Sequence, residues 1–260
     1  MSPTIWTRYA ARAEPGILQV LVSRPWRVVE AQHVVATRKL VDSDAEQHLL
    51  EELIERAKPP VPPEPEFAGL HYLLSTPFRY PPLPYGSRFG TRTERGLWYG
   101  GEALRTAFCE AAYYRLVFLE GTEADLEPVA VYLSAFRVRV RSERAVDLTR
   151  EPFAAHEAEV SSPVSYAASQ VLGREMRAAG VEAFRYRSAR DVDGGTNLGL
   201  FTPAAFAVSR PDSLQTWYCV AVRAVVELSR SDLLARGAFR FPRERFEVDG
   251  ELPMPGLRAA

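Results

Sequence analysis

Between Pro77 and Arg115 the chain reads PFRYPPLPYGSRFGTRTERGLWYGGEALRTAFCEAAYYR, an order of residues that few backbones can satisfy. Prolines and glycines shape a loop in which Gly86-Ser87-Arg88-Phe89-Gly90 sets one arginine between two glycines, where the backbone can turn sharply or lie close to a ligand. Leu97-Trp98-Tyr99 is a short β-prone run ended by Gly100-Gly101. Glu102 to Leu119 then predicts a helix with Glu110 near its middle. Helical spacing puts Ala103, Ala107, Tyr114 and Val117 on the stripe of Glu110, which aims a carboxylate along the edge of a packed face.

A carboxylate in that position is costly unless a cation or hydrogen-bond donors compensate it. Arg88 is the nearby cation, and Arg79 in Phe78-Arg79-Tyr80, among prolines, is its rival. From spacing alone a structural ion pair stays open, because only Lys39 and Lys58 interrupt an otherwise all-arginine set of bases and structural networks also bury charge.

The residues from about 70 to 210 resemble the RES-domain toxins, named for an arginine, a glutamate and a serine. The resemblance is carried by Arg88-Phe89 after a glycine-rich turn, Leu97-Trp98-Tyr99, Thr106-Ala107 ahead of Glu110, and Ser188 at a strand end with Asn197 downstream. It implies a fold similar to ADP-ribosyltransferases, a split β-sheet around a cleft for nicotinamide adenine dinucleotide (NAD). It also implies an Xre-type helix-turn-helix antitoxin as partner, with a homodimer left open.

The rest of the chain is compatible with this. Its 260 residues, 47% hydrophobic, suit one large domain or a domain with an extension. A formal net charge of -1 gives no general pull toward nucleic acid or membrane, and no direct nucleic-acid partner is expected. Two cysteines and four scattered histidines lack metal-ligand spacing, so no metal site is expected, and Cys109 reads as a packed residue. The start MSPTIWTRYAARAEPG has no long apolar core and no run reaches membrane-spanning length, from which a cytoplasmic protein is expected. The motifs GxxxxGK[ST], GxGxxG after a strand, HExxH and GxSxG do not occur.

Ile17–Val22 and Val28–Val35 predict strands, and Ser43-Asp44-Ala45-Glu46 predicts the capped start of a helix running to about Ala57. Prolines 59 to 65 stop it as an extended connector, so residues 1–66 read as an amino-terminal extension and 67–260 as the catalytic domain. Further strands are expected at 129–133, 136–141, 145–148, 181–186 and 215–228, with a helix at 166–179 closed by Gly180. Arg137, Arg139 and Arg141 alternate with apolar residues as a solvated sheet face. Asp191 to Asn197 reads as a polar turn, and the last thirty residues as peripheral. Many strands with few helices and no βαβ rhythm argue for an α+β fold with a mainly antiparallel or mixed sheet.

The resemblance implies the chemistry. Nicotinamide leaves NAD as a neutral molecule, so one carboxylate suffices where O-glycosidases use two. Glu110 would stabilise the oxocarbenium-like charge on the ribose, Arg88 would hold a phosphate and keep Glu110 ionised, and Tyr99 would pack on the nicotinamide. Ser188 would fix its amide or ribose, with Asn197 bonding in the same cleft. The expected activity is that of an NAD glycohydrolase or phosphorylase, with NAD as substrate, no cofactor, and water or phosphate as acceptor. The alternatives are a mono-ADP-ribosyltransferase acting on a protein and a non-catalytic binding module.

Overall fold

The sheet of this protein nearly comes apart in its middle. The computed structural model describes residues 3–10, 17–31, 41, 43–80, 82–124, 126, 128–232 and 236–255. Ten strands among them form one sheet: β1 (Gln19–Ser23), β2 (Trp26–Glu30), β3 (Trp98–Gly101), β4 (Val129–Arg137), β5 (Val140–Asp147), β6 (Ala183–Arg187), β7 (Thr196–Leu200), β8 (Ser213–Val222), β9 (Val225–Arg230) and β10 (Ala238–Pro242). Their order is β1-β5-β6-β7-β3-β2-β4-β8-β9-β10. Every neighbouring pair is antiparallel except the parallel pair β5 and β6. One half, β1 to β3 in that order, meets the other at β2 through the single residue pair Trp26–Gly101. One pair holds the join, and a cavity lined by both strands opens beside it. This is the expected α+β fold with a split, mostly antiparallel sheet.

The helices among the described residues are α1 (Ile5–Ala10), α2 (Asp44–Ala57), α3 (Tyr72–Arg79), α4 (Leu104–Glu120), α5 (Glu157–Val160) and α6 (Ala167–Ala178). None is long and apolar enough to cross a membrane. Ser43 caps α2 as its sequence predicts, its Oγ accepting from Glu46 N at 3.2 Å. The central helix is α4. It has no internal proline or glycine, and Gly121 follows its end. Phe108, Cys109, Ala112, Tyr113, Leu116 and Leu119 are buried at helical spacing against Trp217, Cys219, Val226, Leu228 and Phe241 of β8, β9 and β10. Truncating a ring such as Phe108, which meets Trp217 edge-on at 4.7 Å, typically costs about 3–5 kcal/mol.

Several expectations from the sequence need correction. The run 215–228 is two strands, because a turn at Arg223-Ala224 folds it into the β8–β9 hairpin. The apolar period is the same on both sides of such a turn, so periodicity alone does not reveal it. Strand β4 extends to Arg137 and β5 begins at Val140, although Phe136, Val138 and Val140 do face the core together. The last thirty residues are not peripheral: Phe241, Phe246 and Leu252 are in the core, and Tyr113 Oη donates to Pro253 O at 2.5 Å. The segment expected as a strand over 28–35 ends at Glu30, and residues 32–35 lie outside the described residues. Strands β1 and β2 precede residue 66 and are built into the same sheet as the rest.

Candidate active site

A cavity of about 250 Å³ opens where the sheet splits, walled by β2, β3 and the exposed edge of α4. Gly86 begins one side of it with φ +74°, and an added Cβ there would lie 2.2 Å from Gly90 O, so the turn carrying Arg88 demands glycine. Ser87 N donates back to Gly90 O at 2.7 Å and closes the turn. Tyr99 of β3 buttresses it, with Oη accepting from Phe89 N at 3.1 Å and bonding Ser87 Oγ at 3.0 Å. Burial pushes the Tyr99 hydroxyl up to about 12 even though both partners favour its ionised form. It therefore stays a neutral phenol at ordinary pH.

Glu110 lines the cavity from α4. Two donors converge on one of its oxygens: Ser188 Oγ and Asn197 Nδ2 each reach Oε1 at 2.6 Å. Ser188 is positioned in turn, because its Oγ accepts from Arg190 N at 3.1 Å and Asp191 N at 3.0 Å. The loop bearing those amides is tied to α4 by Asp191, which pairs with Arg105 and accepts from Thr106 Oγ1 at 2.9 Å. Among the described residues no donor reaches Oε2 of Glu110, so that oxygen remains for a ligand. Asn197 Oδ1 is buried and has no partner among the described residues.

The expected residues separate into those brought together and those that are not. Arg88, Tyr99, Glu110 and Asn197 all line the cavity, and Ser188 bonds Glu110 directly. Asn197 lies in β7, which begins at Thr196, and not in the polar turn expected over Asp191 to Asn197; the strand aims its amide at Glu110. Arg79 is not at the cavity; it ends α3 rather than a rigid loop, and its Nε donates to Pro59 O. Arg88 does not pair with Glu110 either. Its Nη1 donates to Ser162 O at 2.8 Å and Val160 O at 3.4 Å, and its guanidinium lies 4.9 Å from the Tyr166 ring centroid. The carboxylate is stabilised by neutral donors, not by an adjacent cation.

Two further arginines line the cavity without having been singled out in the sequence. Arg27 of β2 donates to Tyr99 O at 2.6 Å and stacks on Trp98, and burial lowers it to about 10. Arg190 is 2% exposed. The Arg187-Ser188-Ala189-Arg190 run was a visible signal for the second; the insertion of β2 beside β3 had no local signal. Cys109 is packed, its Sγ donating to Arg190 O at 2.9 Å, and burial pushes the thiol far up. No group of three or more His, Cys, Asp or Glu side chains among the described residues is placed to hold a metal.

The cavity therefore sets the side chains of Arg27, Arg88 and Arg190 and the carboxylate of Glu110 around one space. Comparison with curated proteins returned no match. Comparison with family models matches residues 63–220 to the RES domain, well over half of the chain and the segment that supplies Arg88, Tyr99, Glu110, Ser188 and Asn197; the protein belongs to the RES domain family.

Proposed function

We propose that this protein is an NAD-consuming enzyme that breaks the nicotinamide–ribose bond at the split of its sheet, with toxicity through loss of cellular NAD. The observation that carries the reading is the convergence of Ser188 and Asn197 on one oxygen of Glu110, in a cavity lined, among the described residues, by three arginines and no other carboxylate. RES domains are associated with enzymes acting on NAD, which supports the choice of substrate.

The chemistry follows from the arrangement. Nicotinamide departs from a cationic nitrogen as a neutral molecule, and positive charge develops on the ribose. Glu110, already oriented through Oε1, presents Oε2 to that charge or to a ribose hydroxyl, without reorganising as the bond breaks. Asn197 Oδ1, an unused acceptor, takes an N–H or O–H of the substrate. The arginines hold the dinucleotide's phosphates at a distance from Glu110. No cofactor is called for in this scheme. The toxin role, an Xre-type antitoxin and a homodimer belong to the same proposal.

The test is incubation of the purified chain with adenine-labelled NAD, followed by separation of the products. Free nicotinamide with labelled small molecules only is the expected result, and ADP-ribose or its 1-phosphate identifies water or phosphate as acceptor. Label on protein would establish the transferase instead. Binding of NAD without nicotinamide release would reduce the chain to a binding module.

A further inference from the structure

One short segment holds two arginines at once. Arg88 Nη1 donates to the carbonyls of Val160 and Ser162, and Arg190 Nη1 donates to that of the next residue, Pro163, at 3.1 Å. Both side chains are more than nine-tenths buried, at 8% and 2% exposure, and both line the cavity. Each lies on an aromatic face, Arg88 on Tyr166 and Arg190 on Tyr113 with its guanidinium carbon 3.6 Å from the ring centroid.

What both lack is an anion. Neither forms an ion pair with a carboxylate among the described residues. Asp191, adjacent to Arg190, is committed to Arg105 and Thr106, and Glu110, which Ser188 and Asn197 hold through Oε1, forms no ion pair with either arginine. Nη2 of Arg190 is buried without any partner. Carbonyls and rings compensate a guanidinium only in part, and two like charges facing one low-dielectric space repel each other. A doubly charged anion between them relieves both costs, and planar guanidinium forks suit phosphate oxygens.

We infer that Arg88 and Arg190, racked on the carbonyls of residues 160–163, form a seat for one phosphate-class dianion, with Arg190 as its second anion-binding residue. This rests on the NAD reading of the cleft for its occupant: the dinucleotide's pyrophosphate, or free orthophosphate acting as acceptor.

The test uses the full chain with inorganic pyrophosphate as probe, its affinity measured by titration calorimetry for wild type and Arg190→Met. Loss of a charge-assisted contact should weaken binding about tenfold to a hundredfold. A folded Arg190→Met variant that binds pyrophosphate as tightly as wild type overturns the inference. Wild-type crystals soaked in tungstate decide the matter even if the variant does not fold. An anomalous peak within hydrogen-bonding distance of both guanidiniums supports the seat; a peak elsewhere, or none, overturns it.

Turnover then separates the two sources. If the seat holds the pyrophosphate, kcat/KM of Arg190→Met falls at least about tenfold more for NAD than for nicotinamide riboside, which has no phosphate. If it holds orthophosphate, the variant instead loses the acceleration of NAD cleavage by added phosphate. Failure of the NAD reading looks different: pyrophosphate bound through both arginines by a chain that releases no nicotinamide sinks that reading and leaves the seat standing.

Discussion

Replacing Glu110 by glutamine removes one charge while leaving almost every contact in place. Ser188 Oγ and Asn197 Nδ2 both bond Oε1, at 2.6 Å each, and a glutamine carbonyl oxygen can accept both. Each bond changes from charge-assisted, worth about 1.5–3 kcal/mol, to neutral, worth about 0.5–1.5 kcal/mol. The lost solvation cost of the carboxylate acts in the opposite direction, so net stability should move by no more than about 1–2 kcal/mol. At about 2–4 °C per kcal/mol for a chain of this size, Tm should shift by only a few degrees. The rate is another matter, since loss of a preorganised charge beside a developing cation costs about 2.7–4 kcal/mol of barrier, a factor of about 100 to 1,000. Glu110→Ala should lose the same factor but more stability, because Ser188 and Asn197 are left without an acceptor at about 1–3 kcal/mol each. Nicotinamide release followed by chromatography, beside thermal melts of both variants, gives the comparison. A Glu110→Gln protein with native circular dichroism that keeps its rate within about fivefold of wild type would refute the assignment.

Other parts of the site make separate claims. Tyr99→Phe strips the acceptor from the buried Phe89 amide and should cost about 1–3 kcal/mol by denaturant melts, with weaker NAD binding because the Arg88 turn loosens. In wild type the Tyr99 phenol should ionise only near pH 12 in an ultraviolet titration. Gly173→Ala in α6 should destabilise by about 1–3 kcal/mol, since the new Cβ would lie 2.1 Å from Phe89 O; a stabilised variant, as helix propensity alone favours, would show that the helix does not approach the turn so closely. Burial opposes ionisation of Asp147, but the hydroxyl and amide of Thr149 together with Arg185 outweigh it and hold the carboxyl below its ordinary 3.8. A lowered folded value means this stabilisation is complete above the unfolded pKa and disappears as pH falls through the folded one. Thermal melts from neutral pH down to about 2 should therefore show an acid limb that Asp147→Asn flattens.

Much of the site was readable one segment at a time. The place of Glu110 at the edge of the packed face of α4, the glycine-bounded turn of Arg88 and the cap at Ser43 are each produced by neighbours a few residues apart, and each stands where expected; of the stripe expected around Glu110, however, only Ala107 is buried, since Ala103 caps the helix from outside and Tyr114 is exposed. The two misreadings have separate local causes. Arg79 looked like a loop residue because prolines surround it, yet Pro77 sits inside α3 and the helix continues to Arg79. The 215–228 run looked like one strand because a hairpin turn of Arg-Ala carries none of the usual glycine or asparagine signal.

Local order along the chain decided that a carboxylate would stand on the edge of a packed helix and that an arginine would ride a tight turn. Tertiary structure decided their company. Glu110 is met by Ser188 and Asn197, 78 and 87 residues away, and Arg88 by the carbonyls of 160 and 162. Arg27 reaches the cavity only because β2 wedges in beside β3. Helical period and turn chemistry depend on a few adjacent dihedrals, whereas the partner of a buried charge depends on which distant strands pair, and that is settled by burying the two halves of the sheet against α4 and the packed elements around it.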